Sequence, residues 1–162
     1  MAAGVSFDAS RVTDLQYGLV CGADAARTEP APDTTMGTIQ ILEGWQKVLV
    51  QTQVVPMVTG LGFGVGLKPA SPRNLTDVRI TITHPPYIGN GDTRESWVTS
   101  FDAGGSNLNF FEFEHDFEMV KGQWTLEAHQ GDAMLYSVAF EVVDPSRLPH
   151  LVNLCNGEVV TS

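Results

Sequence analysis

Four carboxylates, Glu112, Glu114, Asp116 and Glu118, occupy alternate positions of the run 111–119. On an extended strand they share one face, with neighbours about 7 Å apart at ~3.3 Å per residue. Such a stripe suits a shallow divalent-cation site or a surface for a basic partner. The spacing is too wide for one ion held at about 2.4 Å unless a loop draws the oxygens together. The same alternation describes the solvated face of an amphipathic strand with no ligand at all. A metal site would rest on Glu112, Glu114 and Asp116; the solvated face is the expectation, with no metal or other cofactor.

Four histidines are present: His84, His115, His129 and His150. None stands in an HxH or HxxxH spacing that would bring two onto one metal. His115 falls between Phe113 and Phe117, which predicts an inward, neutral, hydrogen-bonded residue. His129 is predicted on an outward face beside a hairpin loop. A hydrolytic or metal-dependent enzyme would need His84 or His129 to meet carboxylates such as Asp92 or Glu112. No GxSxG elbow offers a nucleophile.

Tyr87, Asn90, Asp92 and Arg94 lie in or beside one turn-rich segment, between His84 and Trp97. On a sandwich the loops gather at the two ends, where recognition usually happens. These six residues are the candidate binding patch. Trp45, Tyr87 and Trp97, read as loop or loop-edge aromatics, serve either recognition or closure of the core ends. The string 60–66, GLGFGVG, lacks the strand-to-helix setting and the Lys-Ser/Thr of a phosphate loop. Alternate glycines on a strand mark close packing instead. Asn74-Leu75-Thr76 fits the glycosylation triplet, a pattern common by chance.

Cys21 and Cys155 stand near opposite ends of the chain, outside any CxxC. Either they pair and close nearly the whole chain, or they are two buried thiols acting as small apolar residues. Residues 1–4, MAAG, show neither the charged nor the apolar region of a signal peptide. The location is cytoplasmic if Met1 is the native start, periplasmic or exported if a signal was removed. The net charge is -10, with only nine Lys and Arg, and these are scattered. That excludes the clustered cations that nucleic acid or an anionic membrane requires. No apolar run reaches the ~18 residues of a membrane span.

The elements that must position these residues are strands. Period-two alternation predicts strands at 11–22, 38–42, 47–54, 75–84, 95–101, 111–119, 124–129 and 133–143. Residues 23–37, rich in Ala, Thr and Pro, read as a long mobile loop, 43–44 as a turn and 102–106 as another. In 47–54, Val48, Val50 and Val54 share a face with Thr52. In 75–84, Val78, Ile80 and Ile82 point inward, and Arg79, Thr81 and Thr83 outward. Trp124, Leu126 and Ala128 must face the same core as Met134, Tyr136, Val138, Phe140 and Val142. Parity then requires an odd loop, Gln130-Gly131-Asp132, pairing Ala128 with Met134. About eight short strands between Gly, Pro and Asp turns argue for an all-β antiparallel sandwich.

Several stretches resemble a bacterial family of unknown function, number 3859 in the domain-of-unknown-function series. They are Tyr17-Gly18, Gln51-Thr52 followed by Val55-Pro56, and Gly60 with Phe63-Gly64. His84-Pro85-Pro86, and Gly122-Gln123-Trp124 through Phe140-Glu141-Val142, complete the pattern. The likeness covers roughly 13–143. The resemblance implies a small immunoglobulin-like β-sandwich in bacteria and carries no activity or catalytic residue. The final hairpin also looks like that of many exported bacterial immunoglobulin-like domains, which implies an envelope location by analogy.

The expectation is one domain over 1–162, with its core in 11–143 and a tail, 144–162, packing on or near the first strand. It is a non-catalytic binding or structural module whose partner is a protein or small ligand. An uncapped edge strand would support a homodimer.

Overall fold

A computed structural model describes residues 3–22, 25–42, 47–105 and 107–155. The turn at 43–44 and Trp45 lie outside the described residues. Among these, the strands are β1 (Val5–Phe7), β2 (Val12–Cys21), β3 (Ala25–Pro30), β4 (Thr38–Leu42), β5 (Val50–Gln51) and β6 (Val54–Pro56). They continue with β7 (Leu61–Pro69), β8 (Leu75–Thr83), β9 (Arg94–Phe101), β10 (Asn107–Glu112), β11 (Gly122–Gln130) and β12 (Ala133–Val143). One sheet runs β1-β12-β11-β8-β9, with β6 also on β12; a second runs β10-β7-β2-β5; β3 and β4 form a separate pair. Every pairing is antiparallel except β6 with β12. The two larger sheets meet as a sandwich. Phe63 of β7 stands 5.6 Å from Trp124 of β11 and 4.9 Å from Phe140 of β12, centroid to centroid.

Alternation builds the core. Leu61, Phe63, Val65 and Leu67 point inward from β7, while Val78, Ile80 and Ile82 do so from β8; all seven are buried. The glycines between them face the other way. Phe110 of β10, paired with Gly64, lays its ring toward Gly62. A Cβ on Gly64 would sit 2.3 Å from the Asn109 carbonyl oxygen and 2.4 Å from Phe110 Cβ. The glycine string is thus a packing device, because the neighbouring strand occupies the space a side chain would need.

The final hairpin keeps the expected parity by another route. Trp124 pairs with Phe140 and Ala128 with Tyr136, but the turn is only Gly131-Asp132, with Gln130 opposite Ala133. A bulge after Ala128 places one extra residue in β12 and restores the register. Leu135 is therefore buried and Met134 is 39% exposed, the reverse of the three-residue-loop expectation for Met134.

Three further expectations are corrected. Residues 25–30 are not loop: they pair with β4, and the turn is closed by bonds from the Ala31 amide to the Gly37 carbonyl and from the Gly37 amide to the Thr34 carbonyl. Segment 47–54 is not one strand. The Thr52 hydroxyl bonds the Val54 amide, ending β5 on one sheet and launching β6 onto the other. Run 111–119 leaves the ladder after Glu112 and forms a 3-10 turn at Asp116–Glu118. Glu118 folds back, its Oε1 accepting from the Glu114 and His115 amides at 2.9 Å each. Side-chain capping of the backbone wins here over strand pairing. The carboxylates consequently do not form one stripe: Glu114 and Asp116 are exposed, whereas Glu118 is buried. His115 is not inward; it stacks on Phe117 with its side chain 37% exposed.

Beyond β12 the chain forms 3-10 turns at Pro145–Arg147 and Pro149–Leu151. Leu151 and Leu154 pack against the core, and Cys155 is joined to Cys21, at the end of β2, by a disulfide with Cα atoms 5.2 Å apart.

Candidate functional site

His84 directly follows β8, where Pro85 and Pro86 supply no ladder donors to extend it. Its amide bonds the Thr93 carbonyl, so the segment between the two closes as a loop. Its ring is inside the protein: Nδ1 bonds the Pro85 carbonyl at 2.7 Å. A carbonyl only accepts, so Nδ1 carries the proton. Nε2 is buried, has no hydrogen-bond partner among the described residues, and stands 4.0 Å from Glu95 Oε2. Burial pushes the His84 pKa down, with the Pro85 carbonyl and the Glu95 and Asp92 charges opposing it.

The His84 ring stacks on Tyr87 at 3.9 Å and leans on Trp124 at 4.7 Å. The Tyr87 hydroxyl donates to Glu95 Oε2 at 2.5 Å. Glu95 Oε1 accepts the Thr35 amide at 2.9 Å, and the Thr35 hydroxyl donates to Asp92 Oδ2 at 2.8 Å. Burial and the Glu95 carboxylate both hold the Tyr87 phenol protonated far above its usual range. Asn90 Oδ1 accepts the Asp92 amide at 2.8 Å, and Tyr87 and Asp92 close the loop through their backbones. The Tyr87–Glu95–Thr35–Asp92 bonds tie this loop to the 31–37 turn, while His84 Nε2 is left as the unpartnered buried atom of the cluster.

The six residues expected to form a patch divide by role. His84 and Tyr87 are internal supports, Asn90 and Asp92 fix the loop shape, and Arg94 is exposed. Trp97 lies apart on β9, its indole N–H reaching Asn109 Oδ1 at 3.4 Å. Sequence reasoning missed Glu95 and Thr35, which join this loop to the 31–37 turn. It also missed the apolar tips: Ile88 is 62% and Met36 54% exposed. No local pattern separates them from ordinary loop residues; only the contact between the two loops does.

The residues of a hydrolytic arrangement are not brought together. His129 pairs with Arg79 along β8, five residues and therefore about 16 Å from His84. Its Nε2 faces Glu127 at 3.8 Å. Glu112 lies on the other sheet. Among the described residues no three His, Cys, Asp or Glu side chains converge on a point that could hold a metal ion.

Glu112 has its own environment. Its carboxyl covers Gly22 and accepts that residue's amide, with Glu114 beside it. Desolvation first, then the Glu114 charge, push its pKa up to about 7. The folded state thus holds a proton that the unfolded chain releases near pH 4.5. The stability this contributes is present below pH 4.5 and is lost as pH rises through about 7. Glu112→Gln is expected to remove that loss: its urea midpoint should exceed the wild type's at pH 8 and match it near pH 4. Parallel midpoint curves for the two proteins from pH 4 to 8 would refute this.

With the geometry in place, comparison with known proteins gives two findings. The family model described as Domain of unknown function (DUF3859) matches residues 9–142. The crystal structure of an immunoglobulin-like protein from Pseudomonas aeruginosa is similar at 23% identity and a TM-score of 0.58. The match covers 87% of this chain and 98% of that one, and it identifies the sandwich as immunoglobulin-like. No curated protein matches.

Proposed function

This chain belongs to the DUF3859 family, and we propose that it works as a non-catalytic recognition module, binding a protein or small ligand through the loops around Tyr87. The observation that carries this reading is the division of labour in loop 84–95. His84, Tyr87 and Glu95 turn inward as supports, while Ile88, Asn90 and Arg94 remain at the surface beside the 31–37 turn and Met36. A rigid loop presenting apolar tips is a preorganised contact surface, which reduces the ordering cost of binding. No helix among the described residues is long and apolar enough to cross a membrane. Asp92 and Asp116 stand on segments that meet at this end, where Asp33 is already paired with Arg79 at 3.1 Å, and the two remaining carboxylates suit a partner with basic character.

The test uses the immobilised protein as bait in extract from the cells that make it, beside an Ile88→Asp/Met36→Asp variant with an unchanged melting temperature. The expected result is a specific partner enriched by the wild type and reduced at least tenfold by the variant. Equal capture of the same proteins by both would remove this end as the binding surface.

A further inference from the structure

We propose that the Cys21–Cys155 disulfide is a redox latch on a C-terminal strap, and that a dithiol releases residues 144–155 from the sandwich without unfolding it. The strap is built differently from the strands beneath it. The amides of Arg147, Leu148, Leu151, Val152 and Leu154 all bond carbonyls within the strap itself. Pro145 and Pro149 have no amide hydrogen to offer the sheets. At its root, Lys121 meets Asp144 at 4.0 Å and Arg147 meets Glu141 at 3.5 Å. All four side chains are more than half exposed, so these pairs hold weakly. Further along, Leu151 and Leu154 lie only partly buried against the core. The disulfide supplies the covalent hold, and both its cysteines are partly exposed rather than sealed.

The sandwich does not depend on the strap for its centre. Among the described residues, none beyond Val143 belongs to the fully buried set. The family match also ends at residue 142, before the strap begins. The latch therefore joins a self-contained core to a segment with few other anchors, the combination in which a local opening separates from global unfolding.

The chemistry is ordinary thiol exchange. A thiolate of the dithiol attacks Cys155 Sγ, the Sγ–Sγ bond breaks, and Cys21 leaves as a thiolate and takes a proton. The second thiol of the reductant, deprotonated, then attacks the mixed disulfide and frees Cys155 as a thiol. The dithiol becomes a disulfide, losing two electrons and two protons, and the protein gains both.

The test is hydrogen exchange on the full chain, untreated and after dithiothreitol, the dithiol used as probe. Reduction is expected to speed exchange at the Leu151, Val152 and Leu154 amides at least tenfold. Amides of β7, β11 and β12 should keep their protection, and oxidised glutathione should restore the strap. Cys155→Ser should show the open strap without reductant. Three results overturn the proposal: unchanged strap exchange after reduction, simultaneous loss of protection across β7, β11 and β12, or free thiols in the untreated protein unfolded in urea. A Cys155→Ser chain that does not fold counts with the second.

Discussion

Gly64→Ala is expected to be the most damaging single-methyl change among the glycines of β7, lowering stability by about 3 kcal/mol, the upper range for overpacking. The reason is what the new carbon would meet. Asn109 O, at 2.3 Å, and Phe110 Cα, at 2.7 Å, belong to the backbone of β10, which cannot rotate away as a flexible side chain would. Relief requires prising β10 from β7, whose register places Phe110 opposite Gly64. The neighbours provide an internal scale. A Cβ on Gly62 would come to 2.9 Å from the Phe111 carbonyl oxygen, and one on Gly66 only to 3.5 Å from that of Asn107. The expected order of damage by urea unfolding is Gly64→Ala, then Gly62→Ala, then Gly66→Ala. Adding Phe110→Ala should not rescue Gly64→Ala, since alanine keeps the Cα and Cβ that crowd the site. Rescue by that second change would show that the ring, rather than the strand, sets the constraint.

Trp124→Ala should cost about 3–5 kcal/mol, as large-to-small changes of fully buried aromatics do. The indole joins the two sheets to the proposed binding end. Its centroid lies 5.6 Å from Phe63, 5.0 Å from Phe111 and 5.6 Å from Phe113, which hold the sheets together. It also lies 4.7 Å from His84 and 6.1 Å from Tyr87, which underlie the loop. Its N–H donates to the Val120 carbonyl at 3.0 Å, so truncation also removes that acceptor's donor. At roughly 2–4 °C per kcal/mol for a chain of this size, the melting temperature should fall by about 6–20 °C. Hydrogen exchange of the variant should show the Tyr87 and Gly91 amides losing protection more than those of β1, which β12 separates from β11. A loss below about 1 kcal/mol would mean that the core collapses around the gap, contrary to its close packing.

Much of this architecture was legible in the residues alone. The alternation Val78, Ile80, Ile82 in β8 and Trp124, Leu126, Ala128 in β11 assigns the buried face without any knowledge of a partner, because side chains of a strand point in turn to opposite sides. The glycine string is readable for the same reason: alternate Leu61, Phe63, Val65 and Leu67 mark one face as core and leave the glycines on the other. Even the parity of the final hairpin follows from two apolar sets that must meet. The parity does not say how it is achieved. A three-residue loop and a two-residue turn with a bulge satisfy it equally, and packing chose the one that buries Leu135 and turns Met134 out.

The remaining decisions belong to tertiary structure, and each has a physical cause beyond the range of a local pattern. The run 111–119 alternates as well as any strand here, yet Glu118 gains two backbone donors by folding back, and a bond to the backbone outweighs a ladder position at the end of a strand. Thr52 ends one strand and sends Val54–Pro56 to the opposite sheet, where β12 had an edge to fill. Cys21 and Cys155, 134 positions apart, left pairing and separate burial equally open; closing the sandwich brings them together. The proposed site depends most on this level. Glu95 sits unremarked in a strand and Thr35 in a proline-rich turn, and neither means anything until the fold sets one against the other beneath Tyr87. Periodicity is written in neighbouring residues and so survives in the sequence; a polar network between distant loops exists only once the chain between them has been folded out of the way.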